Sequence, residues 1–183
     1  MHLVETYAAN SGAKISKPDI YQKFYPLPFN KYVIFQPISK PLKTYDYWSE
    51  VLELVVPILA SHNIGIVQVG GPNQPKFRGV YDVSGLTDLP QVAFLVNNSL
   101  LVFGADSFCC HIASSFGKKI VALYSNNNIN NVKPYWSKNE DVALIAPKRE
   151  NKPFYALDGA PKEINSIKPE DIAKEIFNKL GME

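Results

Sequence analysis

From Lys31 onward, apolar positions follow two alternating rhythms. Tyr32-Val33-Ile34-Phe35 and Ile64-Gly65-Ile66-Val67-Gln68-Val69 are short, nearly continuous apolar runs that predict buried strands. Between them Tyr47, Trp48, Val51, Leu52, Leu54, Val55, Ile58 and Leu59 recur at helical spacing, with Asp46 placed as N-cap. A second cycle predicts a short strand near 80–83, a helix over 89–97 capped by Thr87 or Asp88, and a strand at 100–103. A third predicts a helix over 107–116, ended by Gly117, and a strand at 119–124. Val142-Ala143-Leu144-Ile145 predicts an edge strand. After a proline-bearing loop, Pro169 opens a terminal helix with Ile172, Ala173, Ile176, Phe177 and Leu180 on one face and Gly181 at its end.

Residues 1–30 have a different texture. A short helix is expected over 3–9, after which Gly12, Pro18, Pro26 and Pro28 interrupt any longer element. They read as a connecting segment ahead of one domain spanning 31–183. Strands that alternate with helices require crossover connections, and right-handed crossovers place helices on both faces of a mostly parallel sheet. The expected fold class is therefore α/β, a doubly wound Rossmann-like single domain. Such sheets bind ligands beyond the carboxyl ends of their strands, near the point where strand order reverses.

Composition narrows the partners. Nineteen Lys and Arg against 17 Asp and Glu leave a net charge of +2, which makes no electrostatic case for nucleic acid or an acidic membrane surface. An anion would have to be bound locally. The two cysteines, Cys109 and Cys110, are adjacent, a spacing that rarely meets disulfide geometry, so a reducing compartment is expected. Cys109-Cys110-His111 lacks usual metal-ligand spacing, and with three histidines in the chain no second cluster accompanies it, so no metal is expected. The first residues show no basic stretch followed by an apolar one, and no segment reaches the roughly 20 apolar residues of a membrane span. A cytoplasmic location is expected.

Three strand-end loops carry candidate chemistry. The first, 36–45, holds Lys40, Lys43 and a hydroxyl just upstream of a helix, a set that can grip a diphosphate or simply be solvated. Tyr45 lies close enough to this loop to be kept as a contact. The second contains Gly70-Gly71-Pro72-Asn73, where paired glycines allow close backbone approach of a ligand or merely a turn. The spacing of neither a dinucleotide site nor a phosphate loop is present. The third, Phe103-Gly104-Ala105-Asp106-Ser107-Phe108-Cys109-Cys110-His111, joins a strand end to a helix start, where first-turn amides and the helix dipole favour an anion. Asp106 or Ser107 reads equally as a helix cap, and His111 faces either the site or the core.

In order and spacing these segments resemble the C-terminal domain of the family 9, heptosyltransferase-like glycosyltransferases. Val83-Ser84-Gly85-Leu86-Thr87-Asp88-Leu89, Ala93-Phe94-Leu95 and Leu101-Val102-Phe103-Gly104-Ala105-Asp106-Ser107 are similar to the family's Gly-x-Thr-x-Leu run, amphipathic helix, strand and Asp-Ser/Thr-Gly loop. His111-Ile112-Ala113 and 117–124 continue the likeness, and Lys43-Thr44-Tyr45-Asp46-Tyr47-Trp48 is similar to the segment after that domain's first strand. Pro134 and Trp136 fall where the family has a Pro- or Trp-bearing loop, and 2–12 resembles the helix leading from its N-terminal domain.

The resemblance implies one half of a two-domain GT-B fold that binds a nucleotide-diphosphate sugar donor. Lys43, Thr87, Asp106, Ser107 and His111 would contact the donor, with Lys40, Gly70 and Gly71 as further loop contacts. Transfer would be inverting and would require no cofactor or metal. Two features depart from the pattern. Phe108 stands where the family has glycine, and the acceptor-binding domain that supplies the catalytic base is not part of the sequence. The resemblance therefore leaves three readings: a donor domain completed by an N-terminal-type partner domain on another polypeptide, by a lost N-terminal segment or by self-association, a non-catalytic sugar-nucleotide-binding or interaction module, and an epimerase fragment of similar fold.

Overall fold

The computed structural model describes residues 1–125, 127–148 and 162–182. Most of the proline-bearing loop expected between the edge strand and the terminal helix lies outside the described residues. Six strands form one sheet: β1 (Tyr32–Gln36), β2 (Gly65–Gln68), β3 (Tyr81–Asp82), β4 (Leu101–Ala105), β5 (Lys119–Leu123) and β6 (Val142–Ile145). Their order is β3-β2-β1-β4-β5-β6 and every pairing is parallel. The order reverses between β1 and β4, because the chain builds outward on one side to β3 and then returns to the middle. The doubly wound α/β expectation holds, and β6 is an edge strand.

Strand periodicity of two sorts the core into two layers. Val33, Phe35, Ile66, Leu101, Phe103, Val121 and Leu123 face α2 (Trp48–Ser61) and α6 (Pro169–Leu180). Tyr32, Ile34, Val67, Val102, Ile120 and Ala122 share the other layer with residues of α3 (Leu89–Asn98) and α4 (Phe108–Ser115). Helix ends follow local chemistry. Asp88 and Gln91 form a reciprocal capping box at α3, and Gly181, at φ 72°, ends α6 in the left-handed conformation.

The start of α2 differs from expectation. Asp46 does not cap it; Tyr47 occupies the cap position without a side-chain bond. The Asp46 carboxylate instead accepts from Lys162 Nζ at 2.5 Å and from Asn165 Nδ2 at 2.8 Å. Those bonds, the lysine's first, lower its pKa. A distant ion pair has outcompeted the local cap.

The N-terminal helix α1 (Leu3–Ser11) begins with His2, whose Nδ1 accepts from Val4 N while Nε2 bonds the Lys133 carbonyl at 2.8 Å. Residues 12–31 contain no regular element. They are nevertheless anchored: Lys23 N donates to Pro90 O, Phe24 packs edge-on to Phe94, and Asn97 donates to Gln22. A short α5 (Ile129–Val132) follows β5.

Gly104 fixes the centre of the sheet. It pairs with Gln36 at a φ of 149°, and a Cβ there would lie 2.1 Å from the Gln36 carbonyl oxygen. Only glycine permits β1 and β4 to meet so closely at their carboxyl ends. Gly104→Ala should destabilise the fold by about 3 kcal/mol through strain and overpacking. Urea unfolding measures this, and an unchanged midpoint would mean that the two strands do not meet as described.

Candidate functional site

Strand order reverses between β1 and β4, the position at which doubly wound sheets leave a crevice for a ligand beyond their carboxyl ends. The loop after β1 is held from below by aromatic packing. Trp48 is buried, stands edge-on to Phe35, and donates its indole N–H to Pro37 O at 3.0 Å. Thr44 braces the same loop from within, accepting from Ser39 N and donating to the Ser39 carbonyl. A three-residue turn at Pro41–Lys43 then delivers the Lys43 side chain.

Lys43 meets the loop after β4. Its ammonium donates to Asp106 Oδ2 at 2.5 Å, with the lysine side chain 21% exposed and the aspartate 6%. Asp106 N continues the sheet ladder to Leu123 O, so the carboxylate is held by strand geometry rather than by a free loop. Asn127 Nδ2 reaches the same carboxylate oxygen at 3.3 Å, and Ser39 Oγ donates to the Asp106 carbonyl at 2.9 Å. A charge this enclosed persists because it is paired and hydrogen-bonded.

Ser107 is the N-cap residue of α4, yet its side chain makes no capping bond. It donates to Gln36 Oε1 instead. Cys110 N donates to the Ser107 carbonyl, and the first-turn amides of α4 that have no intrahelical partner belong to this strand-to-helix junction. Phe108, 38% exposed, stands beside this opening. His111 follows one turn later and is exposed, although the protein packed around its ring lowers its pKa. The nearby Asp106 carboxylate opposes that shift. His111 is thus outside the core and within electrostatic reach of Asp106 and Lys43.

Other expected residues fall differently. Thr87 precedes the cap of α3, and its hydroxyl is enclosed without a partner among the described residues. Lys40 is exposed. Gly70, at φ 154°, accepts from Gly85 N and has the Gln74 side chain 3.1 Å from where a Cβ would lie, whereas nothing lies within 4 Å of a Cβ at Gly71, so the second loop is open at Gly71 only. The expectation for Tyr45 needs correction. Its ring is 1% exposed and its hydroxyl donates to Ile167 O at 2.7 Å, so it braces the loop from the core and offers no surface to a ligand. Two residues that no motif singles out, Gln36 and Asn127, join the cluster. A polar residue ending an apolar strand was the signal for Gln36; Asn127 lies in the Asn-rich run after β5.

Among the described residues no group of three or more His, Cys, Asp or Glu is arranged to hold a metal, and no helix is long and apolar enough to cross a membrane. Cys109 and Cys110 are buried free thiols. Burial pushes the pKa of Cys109 well up and, as the main cause, that of Cys110 to about 12.

Comparison with known proteins places these features in a family context. The model of glycosyltransferase family 9 (heptosyltransferase) matches residues 4–155. The lipopolysaccharide core heptosyltransferase OpsX of Haemophilus influenzae is 25% identical over 174 residues, covering 83% of this chain and 49% of its own. The structure of E. coli ADP-heptose lps heptosyltransferase II superposes with a TM-score of 0.63 at 17% identity, over 97% of this chain and 51% of that one. E. coli heptosyltransferase WaaC with ADP gives 0.61 at 15%, over 96% and 54%. The chain thus spans about half the length of the relatives it matches.

Lys43→Met would leave the Asp106 carboxylate enclosed without its cation and should lower the unfolding free energy by about 2 kcal/mol. Adding Asp106→Asn should recover part of that loss. Urea midpoints of the two variants decide, and a Lys43→Met chain as stable as the parent would show the pair to be idle. The thiols give a second check. With both buried and their pKa values raised, neither should react with an aromatic disulfide reagent at pH 8 until the protein is unfolded; rapid labelling of the native chain would contradict their burial.

Proposed function

The chain belongs to glycosyltransferase family 9, and on that premise we propose that it forms the donor side of such an enzyme, binding a nucleotide-diphosphate sugar in the crevice between β1 and β4. The observation that carries this reading is the enclosed Lys43–Asp106 pair beside the opening turn of α4. Lys43 and the first-turn amides supply positive potential for a diphosphate. The loops at Gly70-Gly71 and Thr87 border the same end of the sheet and take the remainder of the donor.

Catalytically, these groups stabilise the negative charge that grows on the departing nucleoside diphosphate as the glycosidic carbon is attacked. Donors fixed in place before reaction perform that task without reorganisation. No metal or cofactor is needed in this scheme. His111, held toward its neutral form by its surroundings, contributes a ring nitrogen at the crevice. The acceptor and the general base come from an N-terminal-type partner domain or from a second copy of the chain, and transfer inverts the anomeric centre. The location is cytoplasmic, where sugar nucleotides are available.

One observation favours a second reading. Phe108 places an exposed ring at the first residue of α4, where the family pattern has glycine, which suits a module that keeps the fold but binds without transfer. Calorimetric titration with ADP-, UDP-, GDP- and CMP-sugars should reveal saturable binding to one of them, weakened at least about tenfold by Asp106→Ala. Binding to none would overturn the donor-side reading. Binding without sugar transfer, even when an N-terminal-type domain is supplied, would favour the second.

A further inference from the structure

Gln36 ends β1 and is 7% exposed. Its Nε2 donates to the Ile38 carbonyl at 3.1 Å. Only one orientation of the amide makes that bond, since the reverse would set two acceptor oxygens against each other. Oε1 therefore faces Ser107 and receives the hydrogen of its hydroxyl. A serine hydroxyl has one hydrogen and two lone pairs, so what Ser107 retains for a ligand is acceptor capacity.

We propose, resting on the donor-side reading above, that Gln36 is a positioning residue: it sets Ser107 to accept a hydrogen bond from a hydroxyl of the donor sugar. The diphosphate is then left to Lys43 and the α4 amides. Ionised phosphoryl oxygens carry lone pairs only, and they repel an oxygen whose hydrogen is committed elsewhere. A sugar hydroxyl has a hydrogen to give. If Ser107 turned its hydrogen to a phosphate, Gln36 Oε1 would lose its donor in an enclosed position, the less favourable arrangement. The neighbouring hydroxyl is committed in the same sense, because Ser39 Oγ donates to the Asp106 carbonyl. Lys43 and Asn127 already occupy Asp106 Oδ2. Ser107 and Ser39 thus offer acceptors beside the donors of Lys43 and the α4 amides, and it is the acceptors that discriminate a sugar nucleotide from a bare nucleoside diphosphate.

The test is the ratio of two affinities, measured by calorimetry with ADP-heptose and ADP, or with the matching pair for whichever base binds in the titrations above. Ser107→Ala should weaken the sugar nucleotide about tenfold while leaving the nucleoside diphosphate within about twofold. Gln36→Leu releases the Ser107 hydrogen and should shrink the ratio by a similar factor. Gln36→Glu still accepts from Ser107 but sets a second oxygen against the Ile38 carbonyl, so it should lower stability and weaken both ligands while keeping the ratio. Loss of packing moves both affinities together and leaves the ratio alone. A parent chain that binds, with Ser107→Ala losing both ligands equally, would overturn the role given to Gln36 and Ser107 alone. A parent chain that binds no sugar nucleotide would overturn the donor-side reading itself.

Discussion

The approach of β1 to β4 at Gln36 and Gly104 is the constraint from which the site follows. Gly104 carries no Cβ, so the Gln36 backbone fits where a larger residue would collide. Both strands therefore end at the same level, and the loops leaving them face each other across a short gap. Lys43 reaches Asp106, Ser39 reaches the Asp106 carbonyl, and Ser107 reaches the Gln36 side chain. Each of these contacts links the β1 side to the β4 side. A wider spacing of the strands would lose all of them together.

Electrostatics explains why so enclosed a carboxylate is retained. Asp106 makes contact with one cation and one amide, and its backbone N–H is satisfied by Leu123. A pair of this kind adds little net stability compared with apolar packing, yet breaking it is costly. Its worth is geometric: the lysine is held at one place above the sheet. Beneath the pair, Trp48, Phe35 and Phe103 give the loops a stiff aromatic floor, with Phe35 and Phe103 stacked at a centroid distance of 4.8 Å.

Much of this was legible in the sequence because the apolar rhythm reports burial directly. The strands at 32–36, 101–105 and 119–123, and the helix from Pro169 to Leu180, fall close to their expected places. Periodicity also located the strand-end loops, and local chemistry marked Asp106 as the turning point between strand and helix. Long-range competition is what the sequence concealed. Asp46 has the composition of a cap, but Lys162 and Asn165, more than a hundred residues away, claim it. Tyr45 sits beside a candidate loop, yet Ile167 takes its hydroxyl inward. Gln36 and Asn127 belong to no motif, since their partners are fixed by the sheet and not by neighbours in the chain.

The tie between residues 45–46 and residues 162–167 also has a bearing on how the protein is made. Tyr45 and Ile167 are 122 positions apart, and Asp46 and Lys162 are 116 apart. During synthesis residues 45–46 emerge before residues 162–167, so these two braces of the Lys43 loop form only once the later segment has been made. Contacts of such separation are slow to close, and translation proceeds at roughly 5–20 residues per second. The tie beneath the Lys43 loop is therefore made only when residues 162–167 dock, which couples the setting of that loop to a long-range contact.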